Sequence, residues 1–233
     1  ALNFRSGRAI AYGYIMPAIF LFGFGSVFRS GEPALLAQMG QILTITILGG
    51  ACLGFPTTLV AERERGLWQR YRLLPVHINW LVLAVLVVRV LIIAGSVGLQ
   101  IALARWVYGT PLPALGLDFL FAFCVVAFAV RGSVVIVAAM AGDVPSGQAL
   151  GQCLFLPMIL IGGVGVPLGI LPEWAQILAS FMPGRYAVEL IQSCYGSGGG
   201  VSQALFPAAT LIGIGIVAFV AGFQLLQWER GAR

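Results

Sequence analysis

Long apolar stretches separated by short polar segments are the main feature of this chain. Six of them come close to or exceed roughly 20 residues, the length that a helix needs to cross the hydrocarbon core of a bilayer. They cover residues 9–28, 35–60, 78–108, 117–141, 148–168 and 204–228. The pattern predicts an all-α integral membrane protein in which six transmembrane helices form a single domain over residues 1–233.

Two short amphipathic segments lie between the fifth and sixth stretches. The first has its apolar residues on one helical face: Trp174, Ile177, Leu178 and Phe181. The second repeats this spacing with Ala187, Leu190, Ile191 and Cys194. Each segment is too short to span a membrane, so we expect a pair of re-entrant or interfacial helices over 172–194. If they form an outer gate, its candidate residues are Trp174, Phe181, Arg185, Tyr186 and Glu189. The charged residues Glu173, Arg185 and Glu189 could equally be a solvated face.

Composition agrees with a location in the membrane. Hydrophobic residues make up 60% of the 233 residues, and charged residues only 9%. A soluble domain has about 25% charged residues, because its surface faces water. This chain has too few polar side chains to cover such a surface.

The distribution of arginine predicts the orientation. Cytoplasmic loops of membrane proteins are enriched in basic residues. With the N-terminus inside, the outer side holds three loop arginines: Arg29, Arg105 and Arg185. The cytoplasmic side holds eight: Arg5, Arg8, Arg63, Arg65, Arg70, Arg72, Arg230 and Arg233. We therefore expect both termini in the cytoplasm.

All 13 basic residues are arginine, and the chain has no lysine. A P-loop for ATP requires a lysine at a fixed position, so this chain contains no P-loop. Any ATP that drives its activity is hydrolysed by a partner. The chain also lacks the dense basic patch with stacking residues that nucleic-acid binding requires.

The only densely charged stretch, residues 61–75, lies between the second and third apolar stretches. Its apolar residues Leu67, Tyr71 and Leu74 recur at helical spacing, and acidic and basic residues fill most other positions. Such a segment lies along the membrane surface with its charges towards water. From these residues alone it is either an ordinary interfacial helix or a docking site for a cytoplasmic partner.

Several motifs in this chain resemble those of a known family. Ala61-Glu-Arg-Glu-Arg-Gly66, followed by Leu73-Leu-Pro-Val76, is similar to the coupling-helix signature of type-2 ATP-binding-cassette (ABC) permeases. Gly162-Gly163-Val-Gly-Val-Pro167 and Met182-Pro183-Gly-Arg-Tyr186 resemble the end of that family's fifth span and its outer re-entrant helices. The chain departs from the family in its short N-terminal segment, since only residues 1–8 could belong to the family's amphipathic N-terminal helix.

The resemblance implies a transporter subunit and not an enzyme. Such a permease pairs with a second copy or a paralogue, and it docks on cytoplasmic ABC ATPase subunits that bind ATP and Mg. It would export a lipid, drug-like compound, polyketide or glycan across the inner membrane of a bacterium. The residues that would couple it to the ATPase are Glu62, Arg63, Glu64, Arg65, Gly66, Leu67, Trp68, Arg70 and Tyr71. The alternative is a channel or an assembly subunit that is not coupled to ATP.

Arg89 and Arg131 lie inside the third and fourth stretches. A charge at bilayer depth costs about 2.5–3.5 kcal/mol on insertion scales, so each arginine needs a partner. That partner is either an anionic group of the substrate or a protein carbonyl or interfacial water.

The cysteines are scattered, and they form neither a C-x-x-C pair nor a cluster with histidine. We therefore expect no metal site, and we expect the cysteines to act as small buried hydrophobic side chains. They are Cys52, Cys124, Cys153 and Cys194.

Overall fold

The computed structural model describes residues 15–27, 34–64, 78–113, 116–166, 168–195 and 200–231. Every regular element within these ranges is helical, which confirms the predicted all-α class. The α-helices are α1 (Met16–Val27), α2 (Ala34–Cys52), α3 (Gly54–Glu64), α4 (Ile78–Tyr108), α5 (Gly116–Met140), α6 (Val144–Leu160), α7 (Glu173–Ala179), α8 (Pro183–Gln192) and α9 (Leu205–Gly231). Two 3₁₀ turns lie at Leu168–Ile170 and Gly200–Gln203.

Four stretches of the described residues are long and apolar enough to cross a membrane. They are Leu36–Ala61, Val87–Tyr108, Gly116–Met140 and Leu205–Gly222. The chain is therefore an integral membrane protein. Helix α6 is apolar but has only 17 residues, and α1 has 12, so the count of six spans stays a prediction. The boundaries of the domain and its segments stay predictions as well.

The predicted second span, residues 35–60, corresponds to the apolar stretch Leu36–Ala61, but a break interrupts its helix. It divides at Leu53 into α2 and α3. The physical reason is Pro56, which has no N–H to donate to the carbonyl of Cys52 four residues earlier. The hydroxyl of Thr57 also bonds to the carbonyl of Leu53, the residue at the break, at 3.2 Å.

Helix α2 lies at the centre of the bundle and contacts α1, α4, α5, α6 and α8. Its side chains are buried almost without exception from Met39 to Leu48. Helices α5 and α9 form the most extensive helix pair. Their backbones approach closely at Gly132. A Cβ atom at this position would lie only 2.8 Å from the carbonyl oxygen of Gly215. Small residues at the interface allow this kind of packing in membranes.

Large apolar side chains also cover the outside of the bundle. Cys124 and Cys153 lie on this surface, whereas Cys52 and Cys194 are buried. The expectation of burial is thus wrong for two of the four cysteines. In a membrane an apolar side chain can face lipid instead of protein, so hydrophobicity alone does not locate it in the core.

Candidate functional site

The predicted coupling segment begins in the last turn of α3. Glu62, Arg63 and Glu64 belong to this helix, and of the three only the side chain of Glu64 is described. The other predicted coupling residues lie outside the described residues: Arg65, Gly66, Leu67, Trp68, Arg70 and Tyr71. Whether they contact an ATPase stays a prediction.

Glu64 is exposed and joins α3 to the first residue of α6. Its Oε1 accepts a hydrogen bond of 3.0 Å from the backbone N–H of Val144. The first N–H groups of a helix have no partner within that helix, and they carry its positive dipole end. A carboxylate from another helix is therefore a favourable acceptor here.

Asp143, the residue directly before α6, caps this helix. Its Oδ1 accepts the N–H of Ser146 at 2.9 Å and also the hydroxyl of that serine. These bonds, the side-chain one first, hold the pKa of Asp143 below its ordinary value. Because the pKa is lowered in the folded chain, the cap stabilises α6 at neutral pH. That stabilisation is lost as the pH falls through the lowered pKa.

Behind Glu64, α3 packs directly on α6. A Cβ atom on Gly151 of α6 would overlap the carbonyl oxygen of Cys52, which is the carbonyl that Pro56 leaves without its helical donor. Gly147 lies one turn earlier, and its Cβ position is 3.3 Å from Val60. Cys52 is the last residue of α2, so α6 touches the end of α2 backbone to backbone, whereas its contact with α3 at Gly147 is with the side chain of Val60 and, at 3.7 Å, the carbonyl oxygen of Pro56.

The opposite end of α6 closes in a hydrogen-bonded turn. The N–H of Ile161 bonds to the carbonyl of Pro157 at 2.8 Å, and the N–H of Gly165 to that of Ile159 at 2.9 Å. Gly163 has a φ of 73°, a conformation that favours glycine. The Nε2 of Gln41 on α2 donates to the carbonyl of Gly163 at 3.1 Å. The α2–α3 unit thus contacts α6 at both ends, near Glu64 and near Gly163.

Helix α8 is fastened to α2 by a side chain that the sequence analysis did not single out. The Nε2 of Gln192 donates to the carbonyl of Leu36 at 2.9 Å, and its Oε1 accepts the N–H of Gly40 at 2.7 Å. The carbonyl of Leu36 and the N–H of Gly40 lie four residues apart, so the amide of Gln192 spans one turn of α2. A Cβ on Gly40 would lie 2.7 Å from the Oε1 of Gln192, so only glycine leaves room.

A second buried amide joins three helices. The hydroxyl of Thr46 on α2 lies 2.6 Å from the Oε1 of Gln100 on α4. The Nε2 of Gln100 donates to the carbonyl of Pro17 in α1 at 2.7 Å. The spacing of apolar residues does not predict such a contact, because Thr46 and Pro17 lie 54 and 83 residues from Gln100 in the sequence.

The two predicted intramembrane arginines differ in how far they are buried. Arg131 on α5 is buried, with 3% of its surface exposed, and Arg89 on α4 is half-buried. A role for either residue in substrate contact stays a prediction.

The predicted outer-gate residues separate into two groups. Arg185 bonds to Glu189 at 2.9 Å and to the hydroxyl of Ser180 at 2.8 Å. The hydroxyl of Tyr186 donates to the carbonyl of Ser180 at 2.7 Å. Ser180, at the end of α7, is thus the residue around which this group assembles, and the sequence analysis missed it.

The other gate candidates point away from this group. Trp174 and Phe181 are 61% and 80% exposed, and α7 turns Ala175 and Ala179 towards the protein instead. The predicted apolar stripe of α8 and the turn after it is buried, as its spacing indicates: Ala187, Leu190, Ile191 and Cys194.

Comparison with known proteins adds an independent observation. The family model of the ABC-2 type transporter matches residues 2–195. The linearmycin resistance permease protein LnrN of Bacillus subtilis (strain 168) is 23% identical over 181 residues. This match covers 75% of the present chain and 45% of the relative, so the chain spans less than half of that protein. No solved structure matches the chain.

Proposed function

The chain belongs to the ABC-2 type transporter family, and from this premise we propose that it is the permease subunit of an ATP-driven exporter. The observation that carries the proposal is the match over residues 2–195, which includes both the charged 61–75 stretch and the short helices α7 and α8. A separate ABC ATPase subunit binds ATP and Mg and hydrolyses the ATP. The permease itself provides the path across the membrane.

The proposed assembly contains two permease copies, or this chain and a paralogue, in the inner membrane of a bacterium. Each copy crosses the membrane six times, with both termini in the cytoplasm. Glu64 and Val144 then lie at the cytoplasmic face, and Gly163 lies towards the outer face. Residues 61–75 form the coupling helix on which the ATPase docks.

The substrate class is proposed from the relative. A linearmycin resistance permease supports a drug-like compound as cargo, ahead of a lipid, polyketide or glycan. Because the match covers 45% of that relative, the substrate of the whole relative does not transfer directly. Linearmycin is nevertheless the first compound to test.

Coupling requires that the ATP-bound and nucleotide-free ATPase contact the 61–75 helix differently. A partner that contacts both permease states equally shifts nothing. ATP-driven closure of the two ATPase subunits moves this helix, and the spans attached to it tilt between inward-open and outward-open states.

The proposal is tested by reversing the charges of the coupling helix. We expect Arg63→Glu combined with Arg65→Glu to lower ATP-dependent linearmycin transport at least tenfold in vesicles, because the docking charges then repel their partners. The variant should still insert, and the ATPase should still hydrolyse ATP. Arg105→Glu, an exposed arginine in the last turn of α4, is the control and should transport normally. Transport by the wild-type chain without any ATPase would instead identify a channel.

A further inference from the structure

The bond between Glu64 and Val144 joins the start of the coupling segment to a helix that is distant in sequence. Glu64 is the last residue of α3, and residues 65–75 continue the chain from it. Val144 is the first residue of α6. The bond length is 3.0 Å, and 80 residues separate the two partners.

Two acceptors divide the free N–H groups at the start of α6 between them. Asp143 takes the N–H of Ser146, and Glu64 takes that of Val144. The first comes from the chain just before α6 and caps the helix locally. The second comes from α3, so it is the one that resists a separation of the two helices.

The packing behind this bond leaves little room for α3 to move alone. At Gly147 the Cβ position of α6 is 3.3 Å from the side chain of Val60 and 3.7 Å from the carbonyl oxygen of Pro56, both in α3. One turn later Gly151 lies against the carbonyl of Cys52, the last residue of α2. Close-packed backbones transmit a displacement instead of absorbing it, because no long side chain lies between them. A pull on the end of α3 therefore reaches α6.

Helix α6 leads from Glu64 to the opposite end of the bundle. The turn that follows it is bonded to α2 through Gln41 and Gly163. Gly184 of α8 packs against Val164 of this turn, with a Cβ position 3.0 Å away. A movement of α6 thus acts on the short outer helices.

We propose that Glu64 is a positioning residue that fastens the coupling segment to α6, so that movement of that segment drives the fifth apolar span as well as the second and third. This rests on the proposed function, since it requires an ATPase that moves residues 61–75. What Glu64 supplies is an acceptor oxygen aimed at one N–H group. A docking charge, by contrast, would act through its net charge on the partner.

Three substitutions separate an acceptor from a docking charge. Glu64→Gln keeps an acceptor oxygen and removes the charge. Glu64→Ala removes both. Val144→Pro removes the donor and leaves the charge of Glu64 intact. Proline is favoured at the first position of a helix, and Asp143 before it is extended (φ −139°, ψ 170°), as the residue before a proline prefers.

The measurement is the ATP-dependent labelling of α6 in the assembled complex. The four native cysteines are replaced by alanine, and a single cysteine is placed at exposed Gln148 in the first part of α6. The rate of reaction with a water-soluble maleimide is compared between nucleotide-free complex and complex trapped with ATP and vanadate. A cysteine at exposed Met140, the last residue of α5, serves as the control site.

We expect trapping to change the labelling rate at Gln148→Cys at least threefold in the parent and in Glu64→Gln. In Glu64→Ala and Val144→Pro the change should fall below 1.5-fold while ATP hydrolysis continues. The proposal is overturned if Glu64→Gln loses the change, because the charge then carries the effect. It is also overturned if Glu64→Ala and Val144→Pro keep the change.

The parent complex separates this inference from the proposed function. If the chain neither binds an ATPase nor affects its hydrolysis, the exporter proposal fails, and the inference fails with it. If the complex hydrolyses ATP and transports but labelling at Gln148→Cys does not respond to nucleotide, only the inference fails.

Discussion

Thr44 and Thr46 on α2 are both buried, but they contribute differently to the stability of the protein. Thr46 has Gln100 within 2.6 Å, and it completes a network that reaches Pro17. Thr44 is fully buried, and its hydroxyl has no hydrogen-bond partner among the described residues. A buried polar group without a partner costs free energy, whereas a bonded one contributes modestly.

Valine substitutions at these two positions should therefore have opposite effects. Thr46→Val leaves an acceptor of Gln100 buried without its donor, and we expect it to lower the free energy of unfolding by about 1–3 kcal/mol. Thr44→Val removes an unsatisfied hydroxyl, and it should be neutral or raise that free energy by about 1 kcal/mol. Unfolding midpoints in detergent compare the two. A clear loss of stability in Thr44→Val would mean that this hydroxyl bonds to water or to cargo.

Between elements, the contact of α6 with the end of α2, next to the start of α3, depends on the absence of one side chain. At Gly151 the obstacle is the backbone carbonyl of Cys52 and not the end of a flexible side chain. Backbone atoms on both sides cannot rotate away, so the helices must separate to admit even a methyl group. It lies one turn from Gly147, where α6 packs on α3 and where we propose that movement of the coupling segment reaches α6.

Gly151→Ala should consequently destabilise the protein by about 1–3 kcal/mol through overpacking. Gly98 on α4 is the matched control, because nothing lies within 4 Å of its Cβ position. Gly98→Ala should be neutral or stabilising by up to about 1 kcal/mol, since alanine is the better helix former. Thermal denaturation in detergent measures both. Equal behaviour of the two variants would show that α6 is not in backbone contact with Cys52 at the end of α2.

At the scale of the whole molecule, the positions of Arg89 and Arg131 along their helices bear on the path of the substrate. Arg89 lies eleven residues after the start of α4, which is about 16 Å along a helix, and Arg131 lies nine residues before the end of α5, about 14 Å. The stretch of α4 that is apolar and long enough to cross a membrane begins at Val87, so Arg89 lies near one end of it, while Arg131 lies within the corresponding stretch of α5. We predict that these two arginines bind an anionic group of the substrate.

Arg89→Leu should accordingly reduce substrate-stimulated ATP hydrolysis at least threefold, measured first with linearmycin, while unstimulated hydrolysis persists. Arg105→Leu removes an exposed arginine from the last turn of the same helix, and it should leave the stimulation unchanged. Unchanged stimulation in Arg89→Leu would assign this arginine a structural role.

Length and hydrophobicity were enough to predict the membrane class, the helices α4, α5 and α9, and the buried stripe of α8. These features depend on local sequence: an apolar run of sufficient length must form a helix in lipid, because its backbone has no other hydrogen-bond partners. The charged 61–75 stretch and the motifs around Gly163 and Tyr186 likewise led to the family, which the match over residues 2–195 confirmed.

For the membrane-spanning helices, only the tertiary structure decided which face meets protein. Lipid and protein interior are equally apolar, so spacing could not distinguish Cys153, which is exposed, from Cys52, which is buried. The same holds for long-range polar contacts. The acceptor of Val144 is Glu64, and the partner of Gly40 is Gln192, 152 residues away. Such pairs arise from the packing of whole helices, and no local pattern encodes them.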